Sequence, residues 1–184
     1  MVNKEIVESR VMDAPVDAVW RVITTIRDAA SVLRGVERIE VVAGDDGPDG
    51  YAVGLRWKET RKILGRSGTE EMEVTDVEPG RSTRITAESG GIVYTTTFEL
   101  QKIGPKTRVV VRFSGITPPD ASVVTRGMVA LFGGLGTLAT GAGLRRDLED
   151  IEKAAAGRLT EMAGGITPTN GEGTTPESAA AAQG

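Results

Sequence analysis

From Val36 to Gly115 apolar and polar residues alternate in short runs, each broken by a turn signal, and this pattern leaves few folds open. The breaks fall at Gly44-Asp45-Asp46-Gly47-Pro48-Asp49-Gly50, Gly65-Arg66-Ser67-Gly68, Glu78-Pro79-Gly80, Ser89-Gly90-Gly91 and Gly104-Pro105. Six consecutive strands joined by hairpin-length links predict an antiparallel meander. Alternation assigns one face of each strand to the interior: Ile39 and Val41; Tyr51, Val53, Leu55 and Trp57; Met72 and Val74; Tyr94, Thr96, Phe98 and Leu100; Val109, Val111 and Phe113.

Helices flank this run. A strand over Lys4 to Met12 ends at Asp13-Ala14-Pro15, where proline cannot continue a ladder. Val16, Val19, Trp20, Ile23 and Ile26 then recur at helical spacing, so Trp20 is expected in the core, and a second short helix is predicted over Asp28 to Arg34. After Thr117-Pro118-Pro119-Asp120 the period becomes helical again. Val124, Met128, Leu131, Leu135 and Leu138, then Gly141, Leu144, Leu148, Ile151 and Ala155, form a broad stripe on a long helix. The glycines between its halves permit a bend or a close approach to the sheet. The expected organisation is one α+β domain over residues 1–160. A Gly/Thr/Pro/Ala-rich tail over 161–184 is too poor in apolar residues to order itself.

Composition closes off several functions. There is no cysteine and no histidine, which excludes disulfides, thiolate nucleophiles, imidazole metal ligands and Ser-His or Cys-His pairs. No metal site and no cofactor are expected. A formal charge of -4 provides no basic excess for a phosphate backbone, so nucleic acid is not an expected partner. The uncharged stretch Gly127 to Leu144 is too rich in Gly and Thr for an integral membrane span, and Met1-Val2-Asn3-Lys4-Glu5-Ile6 does not read as a signal peptide. A cytoplasmic location follows as the expectation.

The segment Ala14-Pro15-Val16-Asp17-Ala18-Val19-Trp20 resembles the AP-x-x-x-VW opening of the SRPBCC (START-like) superfamily, which includes polyketide cyclase/dehydrase and lipid transport-like proteins. Leu33-Arg34-Gly35-Val36-Glu37-Arg38-Ile39-Glu40-Val41, Val53-Gly54-Leu55-Arg56-Trp57 and Leu144-Arg145-Arg146-Asp147-Leu148-Glu149-Asp150-Ile151 are similar to later segments of that family, in the same order. The resemblance implies a helix-grip fold, a curved seven-stranded antiparallel sheet wrapped around a long C-terminal helix, with two short helices after the first strand. It also implies an internal cavity, for which Trp57, Met72, Tyr94, Thr96, Phe98, Phe113, Leu131, Leu135 and Leu138 are the candidate lining residues.

Each of those apolar residues reads equally as wall of a solid core. Continuing the face of Leu55 and Trp57 reaches Glu59 and Arg61, for which solvated strand-end positions are expected; the alternative is a pair at the pocket mouth. Thr96, Ser114 and the Tyr94 hydroxyl are the other polar groups considered for the interior. Asp147, Glu149, Asp150 and Glu152 are expected on a solvated helix face. The leading functional expectation is binding or carriage of a hydrophobic small molecule such as a lipid, isoprenoid, quinone or polyketide-like compound. The first alternative is a polyketide cyclase/aromatase-like enzyme with Glu59, Arg61 or Tyr94 as catalytic groups. The second is an accessory or chaperone-like protein-binding module. Oligomeric state is left open.

Overall fold

The computed structural model describes residues 3–45, 50–63, 65–89, 92–116 and 134–164. The chain runs through β1 (Asn3–Met12), α1 (Val16–Thr24), a 3-10 turn (Ile26–Asp28), α2 (Ala29–Val32), β2 (Val36–Ala43), β3 (Arg56–Ile63), β4 (Arg66–Glu78), β5 (Ser82–Ser89), β6 (Ile92–Ile103), β7 (Lys106–Ile116) and α3 (Gly134–Gly164). All seven strands form one antiparallel sheet in the order β1-β7-β6-β5-β4-β3-β2, so the meander predicted from alternation is present and β1 closes it beside β7. This is the helix-grip architecture expected from the sequence.

Local chemistry sets the element ends. Pro15 caps α1 with its carbonyl, which accepts from the N–H groups of Ala18 and Val19 at 3.1 and 3.2 Å. At the other end the hydroxyls of Thr24 and Thr25 donate to the Trp20 and Arg21 carbonyls at 2.9 and 2.6 Å. The Thr107 hydroxyl donates to the Ala14 carbonyl at 2.8 Å and ties the start of β7 to the β1–α1 turn.

Two apolar clusters make the core. Beneath the C-terminal half of α3, Leu148, Ile151 and Ala155 pack with Met12, Val19, Val109 and Val111. Burial of side chains such as Leu148 and Ile151 stabilises by about 1.5–3 kcal/mol each. Ile26, Leu55, Trp57 and Val74 form the second cluster, toward the β2–β3 side of the sheet. Gly141 is buried, and a methyl group there would lie 3.2 Å from Glu8 Oε1 and 3.7 Å from Ile6 Cγ2. The helix passes close to β1 at this position, with the Glu8 carboxylate and the Ile6 side chain nearest to it.

Some expectations need correction. β3 begins only at Arg56, so Tyr51 and Val53 belong to the loop before it. Val53 is 62 % exposed rather than inward. Tyr51 is half-buried, packs edge-on to Trp20 with ring centroids 6.3 Å apart, and its hydroxyl lies 2.8 Å from the Thr83 hydroxyl. The long helix runs to Gly164. Val124, Met128 and Leu131 lie outside the described residues, as does the tail after Gly164. Among the described residues no helix is long and apolar enough to cross a membrane.

Candidate functional site

The strand register places the candidate residues. Trp57, Met72, Ala87, Tyr94 and Gly115 are successive partners across β3 to β7 and form one row on the face toward α3. The next row carries Val74, Ile85, Thr96 and Phe113, and the one after it Thr83, Phe98 and Val111. Packing changes along this face. Leu100, Val109 and Val111 are buried at one end, whereas Met72, Tyr94, Thr96, Phe98 and Phe113 are half-buried. The sheet is therefore closed under the C-terminal half of α3 and less tightly covered along the Tyr94–Phe113 side.

Tyr94 and Phe113 stack with centroids 5.7 Å apart and planes 18° from parallel. Gly115 makes this possible, because a methyl group there would lie 3.3 Å from Tyr94 Cδ1 and 3.4 Å from Cε1. The phenol is held above its ordinary pKa, first by burial and then by the charge of Glu70, so the hydroxyl keeps its proton past neutrality. Thr96 shares the inward face, as expected. Ser114 does not, because it pairs with Thr95 and Glu5 on the opposite face. Trp57 is buried in the second core cluster rather than half-exposed, and its Nε1 donates to Glu59 Oε2 at 3.1 Å. On α3, only the backbone is described at Leu135 and Leu138.

Glu59 and Arg61 overturn the solvated reading. Glu59 is only 7 % exposed, and its other carboxylate oxygen accepts from Arg61 Nε. Arg61 Nη1 reaches Asp147 Oδ2 on α3 at 2.8 Å. The strand has not ended at these residues, and the helix crosses directly above them with an unforeseen partner. Burial works to lower the Arg61 pKa, but the charges of Glu59 and Asp147 outweigh it, and the guanidinium stays ionised. For Asp147 the balance is reversed: burial raises its pKa more than Arg61 lowers it, with Glu59 and Asp150 adding repulsion.

Of the four helix carboxylates, Asp147 and Asp150 are buried rather than solvated, while Glu149 and Glu152 stay partly exposed. Asp150 is buried and accepts from Arg34 Nε at 2.9 Å and from the Arg34 backbone N–H at 3.1 Å, while Glu149 meets the same guanidinium at 3.2 Å. Glu152 pairs with Arg10. Asp147 and Asp150 stand three residues apart on the flank of the Leu144–Leu148–Ile151 stripe, and that position was the available clue to their burial. Among the described residues no cluster of three or more potential ligating side chains could hold a metal ion. A groove of about 330 Å³ is lined by Arg56, Glu71, Glu73, Thr86, Glu88 and Val93, whose strand positions lie on the opposite face of the sheet, and also by Met72 and Ala87 of the inward row.

Residues 4–162 match the family model described as polyketide cyclase / dehydrase and lipid transport. No curated protein matches the chain. Among solved structures, the Zhui aromatase/cyclase from Streptomyces superposes with a TM-score of 0.68 at 15% identity, over 90% of this chain and 100% of its own. TTHA0849 from Thermus thermophilus gives 0.67 at 20% identity, over 84% and 99%. A Thalictrum norcoclaurine synthase point mutant, in complex with a transition state analogue, gives 0.64 at 16%, over 86% and 97%. These likenesses concern the fold.

Proposed function

The chain belongs to the polyketide cyclase/dehydrase and lipid transport family, and from that premise we propose that it binds or carries a hydrophobic small molecule between the sheet and α3. The observation that carries this reading is the incompletely covered aromatic row: Tyr94 and Phe113 stacked and half-buried, with Met72, Thr96 and Phe98 beside them on the inward face. Apolar area supplies most of the affinity in such a site, and a few polar groups orient the ligand.

The ionisable pair favours binding over turnover. A general acid or base has to reach a substrate proton. Glu59 and Arg61 instead spend their hydrogen bonds on Trp57, on each other and on Asp147. Their role in this reading is to fasten β3 to α3.

The test uses an environment-sensitive apolar dye, together with mass spectrometry of compounds extracted from freshly purified protein. Thr96→Trp fills the centre of the row and is expected to abolish dye uptake while the melting temperature stays within a few degrees of wild type. Phe113→Ala is expected to weaken uptake at least tenfold. Unchanged dye binding in both variants would remove the inner face as the site. Turnover of a polyketide-like substrate that Glu59→Gln slows about a hundredfold would replace carriage with the cyclase reading.

A further inference from the structure

The two free edges of the sheet differ. At β2 the pairing with β3 shifts register between Val36 and Arg38 and again between Val41 and Ala43. Irregularities of this kind twist an edge away from a new partner. Among the described residues β1 shows no such irregularity. Its ten residues pair with β7 from Asn3↔Ile116 to Met12↔Thr107 without a shift, and the strand contains no proline. Among the described residues no backbone hydrogen bond outside the β7 ladder reaches it.

The side chains on this edge are self-complementary. On the face away from α3, Val7 and Val11 are each 45 % exposed on either side of Ser9, and Val110 of β7 stands opposite Ser9, diagonal to both. On the face toward α3, Glu8 and Arg10 stand two residues apart, with opposite charge.

We propose that the chain forms a two-fold dimer in which β1 pairs antiparallel with β1 of a second copy, with Ser9 opposite Ser9. In that register Val7 faces Val11 of the second copy and Glu8 faces Arg10 of the second copy, each twice because the contact is isologous. The valines, with Val110 from each copy, form a continuous apolar strip across the joint. Toward the helix, Arg145 already holds Glu8 at 2.7 Å and Glu152 holds Arg10. Across the joint the charges therefore alternate as Arg145, Glu8, then Arg10 and Glu152 of the second copy. Neighbouring registers lose this match. Pairing has to move by two residues to keep each face on its own side. Centring on Glu8 then opposes two carboxylates, and centring on Arg10 opposes two guanidinium groups. This inference stands apart from the ligand reading.

The chain has no cysteine, so a single introduced thiol reports contact without ambiguity. Directly opposed residues of an antiparallel pair lie within disulfide reach. Ser9→Cys is expected to give a covalent dimer under mild oxidation. Glu5→Cys, which would face Asp13 of the second copy, is expected to give no covalent dimer and serves as the control. Sedimentation of the wild-type chain over a concentration series is expected to show a monomer–dimer equilibrium. Val7→Lys combined with Val11→Lys should remove that equilibrium with an unchanged melting temperature. A wild-type chain that sediments as a monomer up to about 1 mM would overturn the proposal. So would a dimer that survives the double lysine variant, or one in which Glu5→Cys cross-links and Ser9→Cys does not.

Discussion

Arg61 lies between two buried carboxylates, and its removal leaves both without their cation. Breaking a buried pair from one side costs about 3–5 kcal/mol, so Arg61→Met is expected to lower stability by that amount at pH 7, measured by urea unfolding. Asp147 then loses the one interaction that holds its pKa down, takes up a proton more readily, and the deficit relative to wild type should shrink as the pH is lowered. A deficit that is small or independent of pH would mean that the network is solvated. Asp147→Asn is expected to behave differently. The folded-state pKa of Asp147 is raised, so its contribution favours folding below the ordinary carboxylate value of 3.8 and is lost as the pH rises through the raised value. At pH 7 the charge is therefore a net cost, Arg61 keeps Glu59, and the variant should lose no more than about 1 kcal/mol, by the same urea assay. Alternation made the inward position of Glu59 and Arg61 legible, but not their burial. The covering carboxylate comes from a helix 86 residues away in the chain, and no local pattern reports that juxtaposition.

The strands were read well where alternation continued to the turn and less well where a loop imitates it. Tyr51 and Val53 share the parity of Leu55 and Trp57, yet β3 starts only at Arg56, and Gly54, with φ of +92°, carries the chain through the turn before it. In β7 the informative residue is Gly115, a glycine inside a strand whose missing side chain is replaced by the Tyr94 ring. Gly115→Ala is expected to shift that ring by a few tenths of an ångström against Phe113, weakening dye binding severalfold while unfolding shifts by less than about 1 kcal/mol. Retained affinity would show that the stack is incidental to the site. Trp20 is packed as its helical spacing implied, but it is only partly buried and rests on Tyr51. Trp20→Ala is thus expected to cost about 2–3 kcal/mol in urea unfolding, below the 3–5 kcal/mol of a fully buried aromatic.

For the whole molecule, element order was enough to specify the grip of a curved sheet on its last helix, because an antiparallel meander preceded by one strand and followed by one helix leaves few alternatives. The ligand was not legible in the same way. Volume between a sheet and a helix depends on how far apart they are held, and here that spacing is set by contacts distant in sequence: Gly141 on β1, Asp147 on Arg61 and Asp150 on Arg34. These contacts run from Gly141 in the N-terminal half of α3 to Asp150 at its middle, so they fix the helix along β1, over β3 and beside Arg34. A carrier of this design gains stability from its ligand by mass action, because the unfolded chain offers no inner face. A hydrophobic ligand at a hundred times its dissociation constant should raise stability by about 2.7 kcal/mol and shift the urea midpoint upward. Thr96→Trp should abolish that shift, and Arg61→Met should retain it on a lower baseline, since the lock supports the fold and not the ligand. If Arg61→Met instead removes the ligand-induced shift while the folded baseline survives, the guanidinium is a binding group, and the division between lock and aromatic row fails.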